Sequence, residues 1–328
     1  MVVREQRVTS VDVAREAGVS VATVSYVLNK VTHQKISEET RLRVLAAVEK
    51  LGYTPSAAAR NLRRGRNDIV LLLLKNVPPG STMSQLMEHL TDDLERHGLT
   101  LVTRLERDRP IAELWRELTP ASVIFFTSVG EEDRAQMSAA GAHVTHYWLD
   151  GSGHDAITLS QTRVGGLQVE HLAATGHRVL GYAAPVDSRL AEFYDLRLEG
   201  VRRACAERGL PPPDIRELPA DTELAAEVAR AWRAAGVTAV CAFNDEVAFA
   251  LLAGMREAGL AAPDDLAVIG VDDIPLARFA CPPLTTINQD MRALAADLAV
   301  QVLSGLGRRR GRRPKNERKM GVVVRGSA

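Results

Sequence analysis

From Asp68 onward the chain alternates short apolar runs with amphipathic stretches, and a parallel β-sheet covered by helices is the architecture that pattern fits best. The runs are IVLLLL, LTLVTRL, SVIFFTS, HVTHYWLD, RVLGYAA, VTAVCAF and LAVIGV. Between them lie helical patterns such as Met83, Leu86, Met87, Leu90 and Leu94. Six of these patterns end in glycine, at Gly98, Gly141, Gly176, Gly209, Gly236 and Gly259, the residue that most readily takes the left-handed conformation closing a helix. Pro211 to Pro213 predicts a stiff loop, and the basic run from Arg308 to Lys319 predicts a polar connection to a last strand, GVVVR.

The first fifty residues have a different texture. Thr9 and Ser10, with Asp12 three residues after Thr9, predict a capped helix over Val11 to Ala17 that stops at Gly18. Ser20 caps a second helix, on which Val21, Val24, Val27 and Leu28 share an apolar face while Ala22, Thr23, Tyr26 and Asn29 lie toward the other. A third runs from Ser37 to Leu51, with Glu38 and Glu39 in its first turn and Gly52 beyond its end. Pro55 and SAAARNLRRGR then read as a short helix with almost no apolar face, ordered only when something docks against it. Helix, tight turn at Gly18-Val19-Ser20 and second helix form the layout that lays a helix in the DNA major groove, although spacing alone fits an ordinary helical hairpin as well.

Charge sharpens the division. Residues 1 to 66 carry net +6 and the remainder net −6, so the neutral total conceals a basic segment suited to a polyanion and an acidic one that keeps the molecule dispersed. No apolar run approaches the roughly 20 residues of a membrane span, and Met1 to Gln6 offers no signal-peptide core, so a cytoplasmic location is expected. Cys205, Cys241 and Cys281 are few and widely spaced, and are read as buried, reduced thiols. His143 and His146 lack a third ligand, so neither a metal nor any other cofactor is expected. No Walker loop, GxGxxG, GxSxG or HExxH occurs, which removes the commonest nucleotide, hydride and hydrolase chemistries.

The stretches VTSVDVAREAGVSVATVSYVLN and ISEETRLRVLAAVEKLGYTPSAAARNL resemble the DNA-binding headpiece and hinge of the LacI/GalR (lac repressor) family. The resemblance continues through HLAATGHRVLGY, RLEGVRRACAERGL, AVCAFNDEVAFALLAGMREAGL, DDLAVIGVDD and PPLTTINQD, in order. It implies a multidomain chain: a small all-α helix-turn-helix headpiece over residues 1–54, a hinge over 55–66, and a two-lobed α/β effector-binding and dimerisation domain of the periplasmic-binding-protein (type I) kind over 67–328. Its first lobe would comprise about 67–159 and 289–317, its second about 160–288 and 318–328.

By the same resemblance Val21, Ala22 and Tyr26 stand where the family reads bases, Tyr26 replacing a frequent Arg. Thr9, Ser20, Thr23, Ser25, Asn29, Ser37, Thr40 and Tyr53 stand at phosphate-contacting positions, although capping or core duty accounts for each equally well. Ala59 and Leu62 match the hinge pair pressed into the minor groove, where an apolar wedge kinks the duplex. Arg197, Asn244 and Asp272 fall on cleft positions able to bond vicinal hydroxyls, with Asp150 a further candidate. VPPGSTM replaces the usual Asn-Pro-aromatic segment and Ser160-Gln161 a common Asp-Asn, leaving no aromatic there to stack on a sugar. The implied function is transcriptional regulation, by repression and without catalysis: a homodimer on a palindromic double-stranded DNA operator, with a small-molecule effector, a sugar or related metabolite, as the other partner. A solute receptor with an incidental helical N-terminus and an enzyme on the same scaffold are the rivals.

Overall fold

The computed structural model describes residues 8–28, 36–54, 67–75, 80–106, 118–126, 130–139, 141–149, 157–308 and 320–328, in two units, Met1–Asn67 and Asp68–Ala328. In the first, α1 (Ser10–Ala17), α2 (Val21–Leu28) and α3 (Glu38–Lys50) pack around Val13, Ala14, Ala17, Val24, Val27, Val44 and Ala47. The Thr9 amide and hydroxyl both donate to the Asp12 carboxylate, at 2.9 and 2.7 Å, which holds that carboxyl below its ordinary range. Gly18 closes α1 with φ of 64°, as its position predicts.

In the second unit the apolar runs become strands, most of them buried on both faces, with LTLVTRL a more exposed strand at a sheet edge. Along β1 (Ile69–Lys75), Val70, Leu72 and Leu74 join one apolar layer while Leu71 and Leu73 join the other. With β2 (Thr100–Glu106), β3 (Ser122–Phe125), β4 (His143–Trp148) and β5 (Ile157–Thr158) it forms an all-parallel sheet in the order β2-β1-β3-β4-β5. Helices α4 (Ser81–Glu95) and α5 (Glu131–Ala139) belong to this lobe.

The chain then crosses into α6 (Gln161–Ala174), β6 (Leu180–Ala184), α7 (Ala191–Glu207), β7 (Asp214–Glu217), α8 (Thr222–Ala234), β8 (Ala239–Ala242), α9 (Asp245–Glu257), β9 (Ala267–Val271) and β10 (Thr285–Asn288). It returns to the first lobe as α10 (Met291–Gly305), which packs on α4, and crosses once more to β11 (Gly321–Val323), antiparallel to β10. The second sheet runs β11-β10-β9-β8-β6-β7. All six glycines predicted to end helices have positive φ, between 63° and 100°.

Strands β5, β7 and β10 are absent from the sequence reading. Strand β7 is DIRE at the sheet's edge, and β10 is TTIN, whose Thr285 and Thr286 are buried because each bonds within the fold. Cys205 and Cys241 are buried free thiols, but Cys281 is exposed, contrary to the expectation for it: it precedes Pro282 in a surface loop.

Candidate functional site

Two places collect the residues singled out by sequence. On α2, Val24 and Val27 are buried, whereas Val21 and Ala22 are exposed at the helix's first turn. Val21 therefore departs from the apolar face assigned to it: the helix turns its leading end outward because, of that face, Val24, Val27 and Leu28 reach the three-helix core. Tyr26 is half-buried beside them. Ser20 Oγ accepts from the Thr23 amide at 3.1 Å and Ser37 Oγ from the Thr40 amide at 3.2 Å, so both serines cap helices while remaining at the surface. Their hydroxyls also meet those of Thr23 and Thr40, each at 2.9 Å. Thr9 is exposed, Ser25 half-buried, and Tyr53 packs against the small core. Asn29, Ala59, Leu62 and Asp150 lie outside the described residues.

The second place is a cleft of about 390 Å³ between the two lobes of the larger unit, at the carboxyl ends of the strands. Arg197, Asn244 and Asp272 all line it. Arg197 sits on α7 where that helix crosses α6, and the crossing is set by two glycines. A Cβ on Gly200 would stand 1.9 Å from the Thr162 carbonyl oxygen, and one on Gly165 2.0 Å from the Arg197 carbonyl oxygen. So close an approach carries the guanidinium beneath the end of β8. There it donates to Gln161 Oε1 at 2.9 Å and to the Phe243 carbonyl at 2.6 Å, lies 4.6 Å over the Phe243 ring, and pairs with Asp272 at 3.6 Å.

Gln161, noted in the sequence only as part of the Ser160-Gln161 replacement, and Gln289, which the sequence did not mark, close this arrangement into a ring. Gln161 Nε2 donates to Gln289 Oε1 at 3.3 Å, and Gln289 Nε2 donates to Asp272 Oδ1 at 2.5 Å. Both glutamines stand where the chain passes between lobes, so the polar end of the cleft is bonded directly to the crossings. The signal for Gln289 in the sequence was faint, since a lone glutamine beside a strand end reads as solvated, and that for Gln161 was a departure from resemblance rather than a role.

Asp272 and Asp273 hold left-handed conformations, with φ of 109° and 52°, an arrangement that persists only where neighbours enforce it. Asp245 supplies the enforcement. Its buried carboxylate accepts from the Ile274 amide at 2.9 Å and from Thr286 Oγ1 at 2.5 Å, while Arg325 holds Asp273 at 2.6 Å. Burial pushes the carboxyl of Asp245 up to about 7 and that of Asp272 up to about 6; for Asp272 the Arg197 guanidinium opposes the rise. Asn244 caps α9, accepting from the Val247 amide at 3.0 Å, and its amide donates to Glu246 at 2.6 Å. The cap role anticipated as its bland alternative is thus real, and the residue lines the cleft as well.

The first lobe contributes an apolar wall. Phe126 and Tyr147 stack at 4.4 Å, and Met83, Leu86 and Met291 complete the surface around them. The segment after β1 has no aromatic to offer, as its sequence shows, but the ends of β3 and β4 supply two from elsewhere in the same lobe. Among the described residues no helix is long and apolar enough to cross a membrane, and no cluster of His, Cys, Asp and Glu is disposed to hold a metal ion.

Comparison with known proteins matches these two regions separately and together. Residues 10–56 match the model of bacterial regulatory proteins of the lacI family, and residues 169–328 that of a periplasmic binding protein-like domain. The chain is 30% identical over 306 residues to the HTH-type transcriptional repressor PurR of Photobacterium profundum, covering 89% of this chain and 90% of that one. It is 31% identical to the ribose operon repressor of Escherichia coli K12, covering 90% and 92%. The crystal structure of the lac repressor dimer bound to operator and the anti-inducer ONPF superposes with a TM-score of 0.79 at 25% identity, covering 98% of this chain and 99% of that one. With a three-helix reader, a two-lobed α/β unit and full-length relatives of this kind, the chain belongs to the lacI family of bacterial regulatory proteins and is a DNA-binding transcriptional regulator.

Proposed function

We propose that this regulator is a repressor that binds a palindromic operator as a homodimer and whose hold on DNA is set by a small molecule in the interlobe cleft. Residues 1–54 serve as the reader, 55–66 as the hinge and 67–328 as the sensor. Val21, Ala22 and Tyr26 read base edges, the hydroxyls and amides along α1 to α3 hold phosphates, and Ala59 with Leu62 enters the minor groove. The observation that carries the reading is the ring of Arg197, Gln161, Gln289 and Asp272, because it joins ligand-facing groups to two of the three chain crossings that link the lobes. A ligand that bonds Arg197 or Asp272 competes with bonds made to those crossings, and so has a different affinity for each lobe angle, which is the requirement for a population shift.

Two further observations support it. Leu276 and Phe279 are 62% and 75% exposed in one 3₁₀ turn, an apolar pair that a second copy of the chain would cover, as a dimer requires. The relatives named above are repressors, and the lac repressor structure holds operator and a small ligand together. Location in the cytoplasm follows from the work assigned. Catalysis is not part of the assignment: of the two raised carboxyls, Asp245 is turned onto the Ile274 amide and Thr286 hydroxyl and does not line the cleft, and Asp272, which does, is held by Gln289 and Arg197 with no nucleophile proposed beside it.

The test is selection of duplexes from a random-oligonucleotide pool by the purified chain at moderate salt, followed by footprinting on the DNA adjoining its own gene with and without cell metabolites. A two-fold symmetric site whose occupancy changes with metabolites is expected. Binding without sequence preference under every condition would overturn the proposal.

A further inference from the structure

The walls of the cleft say more about its occupant than its polar end does. Resting on the reading that the cleft holds an effector, we propose that this effector carries no negative charge and that its bulk is an apolar ring or branched chain beside a smaller hydrogen-bonding edge. A substituted neutral glycoside or a nucleoside meets this description; a free monosaccharide, a sugar phosphate or a carboxylate does not.

The charge argument comes first. Among the described lining residues Asp187, Glu246 and Asp272 face the space and Arg197 is the only cation. Recognition of phosphate or carboxylate favours a guanidinium with a free fork of N–H groups. The fork of Arg197 is largely engaged inside the protein: Nε donates to Gln161, Nη1 to the Phe243 carbonyl, Nη2 lies 3.6 Å from the Asp272 carboxylate, and one face rests against the Phe243 ring, which leaves single N–H groups for a ligand rather than a free two-pronged edge beside an unneutralised charge. Asp187 is paired with Arg189, which lies outside the lining, whereas among the described residues Glu246 receives only the Asn244 amide, so its charge would repel an arriving anion. Burial already makes ionisation of Asp272 unfavourable, and a second negative charge in the same small space would deepen that penalty. A neutral ligand is spared this: the ring's amide and carboxylate groups have lone pairs left to accept from hydroxyls or ring N–H groups.

The apolar argument is independent of it. Phe126 stacked on Tyr147 in the first lobe faces a space that Phe193, Phe243 and Val247 bound in the second. Met83 and Met291 add flexible thioethers, side chains that mould to a ring edge. A bare hexose turns hydroxyls in every direction; most would meet these carbon surfaces and lose water without a partner. At about 390 Å³ the space admits a ring substituent in addition to the part that bonds Arg197 and Asp272.

The experiment measures thermal stabilisation and dissociation constants of the full chain with matched series: phenyl glycosides of common hexoses, the parent hexoses and their 6-phosphates, and nucleosides with their 5′-monophosphates. In every series that binds, the neutral ring-bearing member should bind at least about tenfold more tightly than the bare sugar or the phosphate. The Phe126→Leu variant should weaken that member several-fold, and Asp272→Asn should weaken it more. A phosphate bound as tightly as its neutral counterpart, a hexose bound as tightly as its phenyl glycoside, or no binding in any series would overturn the proposal. Binding that survives Asp272→Asn unchanged would sink the cleft reading itself, whereas tight anion binding lost in that variant would sink only the ligand class.

Discussion

The two lobes of the sensor share one architecture and divide the chemistry of the cleft unequally. The second lobe, with Gln161 and Gln289 at its borders, contributes the charged and amide groups, each locked by bonds to neighbouring backbone or side chains. The first lobe contributes chiefly carbon: Met83, Leu86, Phe126 and Tyr147, with Thr82 among the few polar groups near its face. A rigid polar jaw opposite an apolar jaw lets ligand geometry be fixed on one side while closure is driven by burial on the other. In that division the second lobe should tolerate little change in its packing and the first rather more.

The largest effect expected tests the rigidity of the second lobe. Gly200→Ala would drive a methyl group to 1.9 Å from the Thr162 carbonyl oxygen, forcing α6 and α7 apart beneath Arg197. We expect a loss of about 3 kcal/mol or more by chemical denaturation, together with loss of ligand binding. The counterpart in the first lobe is Gly98→Ala, where φ is 67° but no atom lies within 4 Å of the new methyl, and a loss of about 1 kcal/mol with ligand binding retained is expected. Equal losses would break the comparison.

A second, smaller effect uses pH. The carboxyls of Asp245 and Asp272 are raised by burial to about 7 and about 6, so the folded state binds their protons more tightly than the unfolded chain does. The stability they contribute is complete below the ordinary carboxylate range and is lost as pH rises through 6 and 7. Asp245→Asn keeps an acceptor for the Ile274 amide and removes the charge, so the decline in stability between about pH 5 and 8 should shrink by about 2 kcal/mol relative to the parent. A variant with the parent's full pH slope would show that Asp245 is ionised without penalty.

The same division explains what the sequence made legible. Elements whose formation depends on local pattern were readable: the helix ends at Gly98 through Gly259, the β1 run of five fully buried residues from Val70 to Leu74, and the caps at Thr9, Ser20 and Ser37. Elements stabilised by distant partners were not. Strand β10 is polar in sequence and becomes a buried strand because Ser327, Ala328 and Asp245, remote along the chain, satisfy its threonines. Gln161 and Gln289, separated by 128 positions, meet only after both lobes have formed. Phe126 and Tyr147 read as strand residues, which they border or occupy, and their second use as cleft wall follows from sitting at strand ends rather than strand centres. Arg197, Asn244 and Asp272 were found through resemblance, and the structure shows why single-residue arguments were inadequate: each already has a structural duty that would account for it alone.

The smallest effect is the sharpest probe of the contrast, since it concerns a polar group the apolar jaw lends to the other. Thr82, in the first turn of α4, lines the cleft together with Asp272, and its hydroxyl is among the smaller influences that hold that carboxyl down against its burial. Thr82→Val preserves shape, removes the hydroxyl and should lower stability by about 1 kcal/mol or less. Because the hydroxyl favours the charged form, its loss should move the Asp272 titration upward in pH and leave that of Asp245 unmoved. The lobes would also lose a polar attraction present without ligand, so the open arrangement should gain population, read as increased protease sensitivity of the ligand-free protein that ligand reverses. If the variant instead matched the parent in titration and proteolysis, the two jaws would be held together by apolar contact alone, and the hydroxyl would be an ordinary helix-terminal group.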